Sequence, residues 1–181
     1  MTDPVVAAVH RSSAHTFSKR SVDEIELVAG VGVTGDAHAG ARVRHRSRVA
    51  ADPTQPNLRQ VHLIHAELFG RVAGSGHVVG PGDLGENVTT RGLDLLGLAT
   101  GTTLAIGDDV LLAITGLRNP CGQIDGFSRG LRSELIVDDD EGGTLRLAGV
   151  LAVVVRGGAV RPGDPIGVAA PAGNHHPLVR V

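Results

Sequence analysis

The single cysteine of this chain, Cys121, lies in a polar loop directly after an apolar segment. Pro120 restricts the backbone before it and Gly122 leaves the backbone after it uncrowded, so the thiol can occupy an open corner. A helix beginning near Gln123 and the cation of Arg118 would both favour the thiolate. A free cysteine is often just a small buried hydrophobic residue, but these neighbours are too polar for a core. The segment therefore predicts a reactive sulfur.

Two further polar segments carry side chains that could surround such a sulfur. Gly85–Thr90 offers hydrogen-bonding groups but little that could build a core. Asp36 and His38 lie in a turn bracketed by glycines, Gly35–Gly40. Glycines allow the backbone to approach a ligand closely, although an ordinary Asx turn would use the same residue types. The residues alone leave both interpretations of this turn open.

Four arginines recur at every second position, at Arg42, Arg44, Arg46 and Arg48. An extended chain would place all four side chains on one side. They could form a lid over an anionic ligand or a solvated flap. Charge runs of a single sign are usually solvated, and the loop-like segment Asp52–Asn57 follows. These observations favour the flap.

The nine histidines raise the question of a metal site. His62 and His65 have an H-x-x-H spacing with Glu67 close by, but the chain contains no H-E-x-x-H helix. A strand through this segment would direct His62 away from Val61 and Leu63. We therefore do not expect zinc here.

Composition excludes several other kinds of chemistry. One cysteine cannot form an internal disulfide, a four-thiolate zinc site or an iron–sulfur cluster, which suits a reducing cytoplasm. Pyridoxal phosphate is not expected, because the only lysine, Lys19, lies in a polar N-terminal segment. The net charge of −2 and the absence of Trp and Tyr disfavour nucleic acid as a partner. With no apolar run of about 18 residues and no signal peptide, no membrane association is expected.

Short apolar segments separated by Gly, Asp and Pro predict that strands position these groups. The length predicts one domain over residues 1–181, and residues 170–181 are expected to be flexible. An acidic turn is predicted at Asp138–Gly143. The pattern favours an all-β barrel or sandwich with minor helices. The predicted strands are Val5–Val9, Gln60–Ile64, His77–Val79, Leu84–Thr89, Thr103–Ile106, Val110–Thr115, Thr144–Val155 and Ile166–Ala169, and the predicted helices are His65–Ala73 and Gln123–Leu135.

Four motifs occur in a distinctive order. They are GDAHAG at 35–40, RQVHLIH at 59–65, GENVTTRGLDL at 85–95 and LRNPC at 117–121, followed by RPGD at 161–164. With these motifs the chain resembles the MOSC domain family, named for the C-terminal domain of molybdenum-cofactor sulfurase. The resemblance covers about residues 5–168. It implies a closed or partly closed β-barrel of short, mostly antiparallel strands with two or three short helices.

The resemblance also implies a cofactor and an activity. The cysteine matching Cys121 either ligates molybdenum of the molybdopterin cofactor or carries a persulfide, and no haem is expected. Family members that act as enzymes reduce small N-hydroxylated compounds. Because the chain lacks cysteines for an iron–sulfur cluster, electrons would come from a separate flavin or iron–sulfur protein. The residues expected to bind the cofactor or line its pocket are Asn87, Thr89, Thr90, Arg118, Asn119, Asp36, His38, Arg42 and Arg44.

Three functions are therefore in competition. The first is a molybdenum-dependent reductase of N-hydroxylated compounds, with Cys121 as the metal ligand. The second is a carrier of sulfur or cofactor that holds a Cys121 persulfide and turns over no organic substrate. The third is a metal-free ligand-binding barrel in which the cysteine is structural. The substrate, the electron donor and the oligomeric state are left open by the sequence.

Overall fold

A computed structural model describes residues 3–138 and 142–181. The prediction of an all-β chain with minor helices is confirmed, and no helix in these residues is long and apolar enough to cross a membrane. The strands are β1 (Val5–Arg11), β2 (Arg20–Val22), β3 (Ile25–Val28), β4 (Gly32–Val33), β5 (Val61–His65), β6 (Val88–Arg91), β7 (Thr103–Ile106), β8 (Val110–Leu117), β9 (Ile136–Asp138), β10 (Thr144–Arg146), β11 (Val150–Arg156), β12 (Gly158–Val160) and β13 (Ile166–Ala169). The helices are α1 (Arg46–Ala51), α2 (Glu67–Ala73), α3 (Gln123–Phe127) and α4 (Leu131–Glu134).

The main sheet contains eight strands in the order β13-β7-β8-β11-β5-β6-β1-β2. All neighbours are antiparallel except β5 and β6, which are parallel. Backbone hydrogen bonds connect the start of β13 to the start of β1, where Val6 N–H donates to Asp164 O and Ile166 N–H donates to Pro4 O, both at 2.9 Å. The sheet thus curls into the partly closed barrel that was predicted. A smaller sheet, β12-β3-β4, and the hairpin β9-β10 complete the architecture.

Apolar side chains fill both faces of the sheet. Val61 and Leu63 of β5 point into the barrel core, whereas Ile64 belongs to a second cluster on the outer face. This outer cluster includes Leu68 and Val72 of α2, so the helix covers β5. A strand buried on both faces reads as a continuous apolar run. That is why β5 and α2 could be predicted within a residue or two.

Two predicted elements are each divided by a glycine. The predicted strand Thr144–Val155 is β10 and β11, separated at Gly149. Gly149 has φ +88°, and a Cβ there would clash with the backbone oxygen of Leu63. The predicted helix Gln123–Leu135 is α3 and α4, separated where Gly130 adopts φ +86°. Each glycine lies directly before the second element, where its left-handed backbone interrupts regular structure.

The segment between α2 and β6 forms turns rather than strands. The prediction of a strand at His77–Val79 is wrong, because Val78 is 90% exposed and its apolar side chain is not part of the core. The strand predicted at Leu84–Thr89 begins only at Val88. Before it, Gly85 N–H donates to Gly82 O at 3.1 Å and closes a turn. The acidic turn predicted at 138–143 falls mostly on residues 139–141, which lie outside the described residues.

The arginine-rich segment is not extended along its length. Arg42 forms an isolated β-bridge with Pro56, but α1 begins at Arg46. The four arginines therefore do not lie along one side of an extended chain. The loop before the helix is anchored, because Val43 is buried and its N–H donates to Gln55 O at 3.0 Å.

The C-terminal segment, for which flexibility was expected, contacts the barrel at several points. Leu178 is buried within the barrel core cluster. The N–H of Leu117 at the end of β8 donates to Val179 O at 2.8 Å, and the N–H of Val181 donates to Leu117 O at 3.2 Å. The tail thereby flanks the point where β8 leads into the loop that carries the cysteine.

Candidate functional site

A cavity of about 560 Å³ lies on the outer face of the main sheet. Along β5 and β11, Val61, Leu63 and Val150 point into the barrel, so the intervening His62 and Leu151 point outward and line the cavity. Its volume is within the range of roughly 300–1,000 Å³ usual for small-molecule sites. The remaining lining residues are His15, Thr16, Phe17, Lys19, His38, Val43, Arg44, His45, Arg46, Ser47, Arg48, Asn57, Arg59, Leu84, Gly85, Asn87, Arg118, Asn119, Cys121, Gln123 and Arg180.

The cavity brings together most of the residues predicted from the sequence. Those that line it are Cys121, Arg118, Asn119, Asn87, His38 and Arg44. Those that do not are Asp36, Thr89, Thr90 and Arg42. Asp36, Thr89 and Thr90 are buried beneath the floor, and Arg42 is exposed outside the cavity. Asp36 is connected to the cavity through His38, whereas the buried Thr90 hydroxyl has no hydrogen-bond partner among the described residues.

Cys121 is half-buried at one wall of the cavity, in the loop between β8 and α3. Its Sγ lies 3.6 Å from Gln123 Oε1, to which the thiol can donate. The loop is held at its start, because the Arg118 N–H donates to Gly149 O at 3.0 Å. Asn119 is held as well, since its Oδ1 accepts a hydrogen bond from Arg146 Nε at 3.3 Å. The sulfur is thus presented to the cavity on a restrained loop.

The lining is strongly cationic. Seven of its residues are lysine or arginine, and no aspartate or glutamate of the described chain lines it. The seven are Lys19, Arg44, Arg46, Arg48, Arg59, Arg118 and Arg180. Such a concentration of one sign in a concave, partly desolvated site attracts anions.

Two of these arginines have buried N–H groups without a partner. Arg118 Nη1 and Arg59 Nε make no hydrogen bond to any described residue. Burial lowers the pKa of Arg118, while the charges of Cys121 and Glu86 oppose that change. Burial, followed by repulsion from Arg48 and Arg118, lowers the pKa of Arg59 to about 10. Unsatisfied buried donors of this kind are costly, and an anionic ligand would satisfy them.

Beneath the floor, Lys19 and Asp36 form a buried ion pair with Nζ–Oδ2 at 2.8 Å. Burial lowers the pKa of Lys19, and Asp36 opposes that change. Burial acts to raise the pKa of Asp36, but its hydrogen bonds with His38 and the charge of Lys19 outweigh this and hold the pKa well below its usual range. Asp36 is therefore ionised, and Oδ1 lies 3.3 Å from His38 Nδ1. The pair orients the imidazole on the cavity wall.

Asn87 connects this pair to β5. Its Nδ2 donates to Asp36 Oδ2 at 3.1 Å and to His10 O at 3.3 Å, and its Oδ1 accepts the His62 N–H at 3.2 Å. Both the oxygen and the nitrogen of the Asn87 side-chain amide are thus hydrogen-bonded within the protein. Although Asn87 reaches the cavity, its bonds show that it positions Asp36 and His62.

A second series of buried hydrogen bonds runs below Asn87. The Thr89 hydroxyl donates to Glu86 Oε1 at 3.1 Å, so the His10 Nε2 at 3.0 Å must be the donor to Thr89. His10 Nδ1 then accepts from Ser21 at 3.1 Å. This arrangement requires a neutral imidazole, in agreement with a pKa that burial and Lys19 lower to about 4. Burial raises the pKa of Glu86, and hydrogen bonds from Gly82 and Thr89 oppose that change.

Several residues of the site were not identified from the sequence. Lys19 belongs to the N-terminal segment that was expected to be merely polar, yet it is buried because Gly85 packs closely against the backbone oxygen of Phe17. A Cβ at Gly85 would clash with that oxygen. Arg180 comes from the tail that was expected to be flexible. Arg59 and His62 belong to the quoted motif RQVHLIH, which was the signal that could have pointed to them.

Histidines form a second feature that sequence spacing did not reveal. The ring centroids of His15 and His38 are 5.1 Å apart, and those of His38 and His45 are 6.0 Å apart. Burial, followed by repulsion from Arg59 and other cations, lowers the pKa of His45 to about 4. No group of three or more His, Cys, Asp or Glu residues within the described chain could hold a metal ion by itself. One thiol among cations suits a metal that brings most of its own ligands.

Comparison with known proteins gives the fold and the family. The model of the MOSC domain matches residues 32–167, whereas no curated protein matches. The YuaD protein from Bacillus subtilis is 22% identical, with a TM-score of 0.74 over 94% of this chain and 97% of that one. YiiM from Escherichia coli is 19% identical, with a TM-score of 0.65 over 97% of this chain and 74% of that one. At these identities the two structures show the shared fold alone. The family match covers most of the chain, which therefore belongs to the MOSC domain family, a family associated with binding of the molybdenum cofactor.

Proposed function

We propose that this chain binds the molybdenum cofactor in the cationic cavity and reduces small N-hydroxylated compounds. Electrons would come from a separate flavin or iron–sulfur protein. The observation that carries this proposal is the position of the only thiol, Cys121, in a cavity that also contains the unpartnered buried N–H groups of Arg59 and Arg118. Both features match the cofactor, which has a metal in a sulfur-rich coordination sphere and an anionic phosphate.

The residues fit this group chemically. Thiolate sulfur is a soft ligand that suits molybdenum in a sulfur-rich coordination sphere, so Cys121 would bind the metal. Guanidinium groups form charge-assisted, bidentate hydrogen bonds with phosphate oxygens, so Arg118 and Arg59 would hold the phosphate. When bound, the cofactor supplies two-electron oxidation and reduction; the protein supplies binding and orientation.

The proposed reaction converts R–NHOH to R–NH₂ and water. It consumes two electrons from the donor protein and two protons, and the N–O bond breaks. Because the ionised Asp36 takes the Nδ1–H of His38, Nε2 of that imidazole is free to hold a proton at the cavity wall. In this proposal His38 would deliver a proton to the departing oxygen.

Metal analysis tests the proposal directly. The protein is produced in a host that makes the molybdenum cofactor, purified, and analysed for molybdenum and for reduction of N-hydroxylaminopurine with an artificial donor. We expect near-stoichiometric molybdenum in the unchanged protein and loss of both molybdenum and activity in Cys121→Ser. Arg71→Gln is the control, because Arg71 is exposed on α2 and does not line the cavity.

The same samples separate the alternatives. Cyanide-labile sulfur without molybdenum would support the carrier that holds a persulfide, and would overturn the reductase. If Cys121→Ser changes neither the metal content nor the sulfur content nor the activity, the thiol has no functional role.

A further inference from the structure

The cations of the cavity fall into two groups. Lys19, Arg59 and Arg118 lie deep, where Lys19 is buried and both arginines have buried N–H groups. The other four are Arg44, Arg46, Arg48 and Arg180, which we call the rim arginines. Arg44, Arg46 and Arg180 are exposed and Arg48 is half-buried. The rim arginines therefore surround the entrance, while the deep cations surround the thiol.

The side chains of the rim arginines form no ion pair or hydrogen bond with the described residues. Within residues 3–138 and 142–181, none of their side chains has a carboxylate within 4.0 Å or a hydrogen bond to another residue. Two other arginines do have partners: Arg161 pairs with Glu24, and Arg132 Nε donates to Pro120 O at 3.3 Å. What sets the rim arginines apart from other unpaired surface arginines, such as Arg42 and Arg71, is that all four line one cavity. Four unpaired like charges around one entrance repel one another, which disfavours the arrangement unless an anion binds among them.

The loop that carries Arg44, one of the rim arginines, is fixed in place. Asn57 Nδ2 donates to His38 O at 3.0 Å and to Gly40 O at 2.9 Å, while its own N–H donates to Ala41 O at 3.0 Å. Val43 is buried directly before Arg44. These bonds hold Arg44 near its place before any ligand arrives. Preorganisation of this kind lowers the entropic cost of binding.

We infer that the substrate carries its own phosphate group, as an N-hydroxylated nucleoside monophosphate does, and that the rim arginines bind that group. The inference rests on the proposed function. The deep arginines are sufficient for the single phosphate of the cofactor, so the rim arginines remain for a second oxyanion. Their side chains line the same cavity as His38 and Cys121. Phosphate offers several oxygens to several guanidinium groups at once, which favours it over a carboxylate.

Kinetics with an artificial donor test this without involving a donor protein. The molybdenum-loaded protein is assayed with N-hydroxylaminopurine, with its nucleoside and with its nucleoside 5′-monophosphate. We expect kcat/KM to be at least about tenfold higher for the monophosphate, chiefly through KM. In the double variant Arg44→Gln/Arg46→Gln this preference should fall about tenfold, whereas Arg71→Gln should retain it.

A binding measurement gives a second readout that does not depend on turnover. Calorimetry with adenosine 5′-monophosphate should show binding that weakens about tenfold in the double variant, and adenosine should bind less well than its monophosphate. A free-carboxylate analogue that binds equally well would overturn the choice of phosphate.

The outcomes distinguish the two proposals. If the loaded protein reduces base and monophosphate with equal kcat/KM, the inference fails and the proposed function stands. If it reduces neither, the proposed function fails. If the double variant loses rate only with a protein donor and not with the artificial one, the rim arginines bind the donor protein, and the inference is overturned.

Discussion

Arg118 carries a buried charge that contacts within the fold compensate only in part. Its Nη1 is buried without a partner, and its guanidinium carbon lies 5.9 Å from the centroid of the Phe17 ring. The aromatic face compensates part of the charge, but no carboxylate of the described residues lies within 4.0 Å of it. An uncompensated buried charge is replaced by an apolar residue of similar size with little loss or with a gain in stability.

We therefore predict opposite effects of Arg118→Met on stability and on cofactor content. The cofactor-free variant should be more stable by about 1–3 kcal/mol, because the desolvated charge is removed. Its molybdenum content after production in a cofactor-competent host should fall at least about tenfold. Urea unfolding and metal analysis measure the two effects, with Arg71→Met as the surface control. A variant that is less stable and still fully loaded would contradict the role assigned to Arg118.

His10 makes a prediction about pH. Burial and the charge of Lys19 lower its pKa from 6.5 to about 4 in the folded protein. Between pH 4 and pH 6.5 the unfolded chain binds more protons than the folded protein. The contribution of His10 to the free energy of unfolding is therefore full above about pH 6.5 and is lost as the pH falls towards 4. The contribution of this fully buried residue is about 3 kcal/mol.

The variant His10→Gln tests this contribution. Its amide can still donate to Thr89 but does not titrate, so the free energy of unfolding should depend less on pH between 6.5 and 4. His175→Gln, at an exposed position in the tail, should follow the unchanged protein. If the free energy of unfolding depends on pH in the same way in all three proteins, His10 is not the group responsible for that dependence.

Among the elements, β11 shows how a single glycine determines a strand boundary. Gly149 has φ +88°, and a Cβ there would clash with Leu63 of β5. We predict that Gly149→Ala lowers the free energy of unfolding by about 3 kcal/mol or more, from roughly 1 kcal/mol of backbone strain plus the displacement of β5. Gly76→Ala provides the matched control, because Gly76 has φ +86° but no atom within 4 Å of the place that a Cβ would occupy. Chemical denaturation should show a loss of about 1 kcal/mol there, and equal losses would refute the packing argument.

The comparison of sequence with structure is clearest at the same level. The hairpin β7-β8 could be predicted because local turn residues specify it. The strand β5 could be predicted because its apolar residues Val61, Leu63 and Ile64 are typical of a buried strand. The division of Thr144–Val155 could not, since Gly149 is required by a contact with Leu63, on a strand that is distant in the chain. Similarly, the alternation of arginines would suit an extended segment, but no neighbouring strand among the described residues pairs with this part of the chain. Helix α1 forms there instead.

The residues of the site likewise divide into those that a local motif indicates and those that only the fold brings together. Arg118, Asn119 and Cys121 are close together in the chain, so one motif indicated all three. Lys19 and Arg180 come from opposite ends and meet the motif only through folding. No local pattern could place them there. The sequence also could not show that Thr89 and Thr90 lie beneath the floor, because both faces of β6 are buried.

For the molecule as a whole, charge is distributed very unevenly. The net charge is −2, yet the cavity contains seven cations and no carboxylate among the described residues. The attraction that the cavity exerts on an anion therefore comes from its local charge and not from the charge of the whole protein. Salt screens such an interaction at the exposed rim more strongly than at the buried floor.

This distribution predicts a selective effect of ionic strength. Between about 20 mM and 500 mM salt, KM for an N-hydroxylated nucleoside monophosphate should rise about tenfold, whereas KM for the uncharged base should change little. Steady-state assays with an artificial donor measure both. A parallel rise for the two substrates would indicate a general effect of salt on the protein and would count against charge as the basis of recognition.

The cationic lining has a consequence for metal selectivity. Cys121 and the imidazoles of His38 and His45 are ligands to which Zn²⁺ binds readily. Free Zn²⁺ and Cu²⁺ are themselves cations, and they would have to enter among arginines whose charges no described carboxylate of the lining balances. By contrast, a metal that is bound within an anionic chelate would be attracted by the positive charge of these arginines. If the cavity binds the molybdenum cofactor as proposed, the same arginines would disfavour the binding of Zn²⁺ or Cu²⁺ at Cys121.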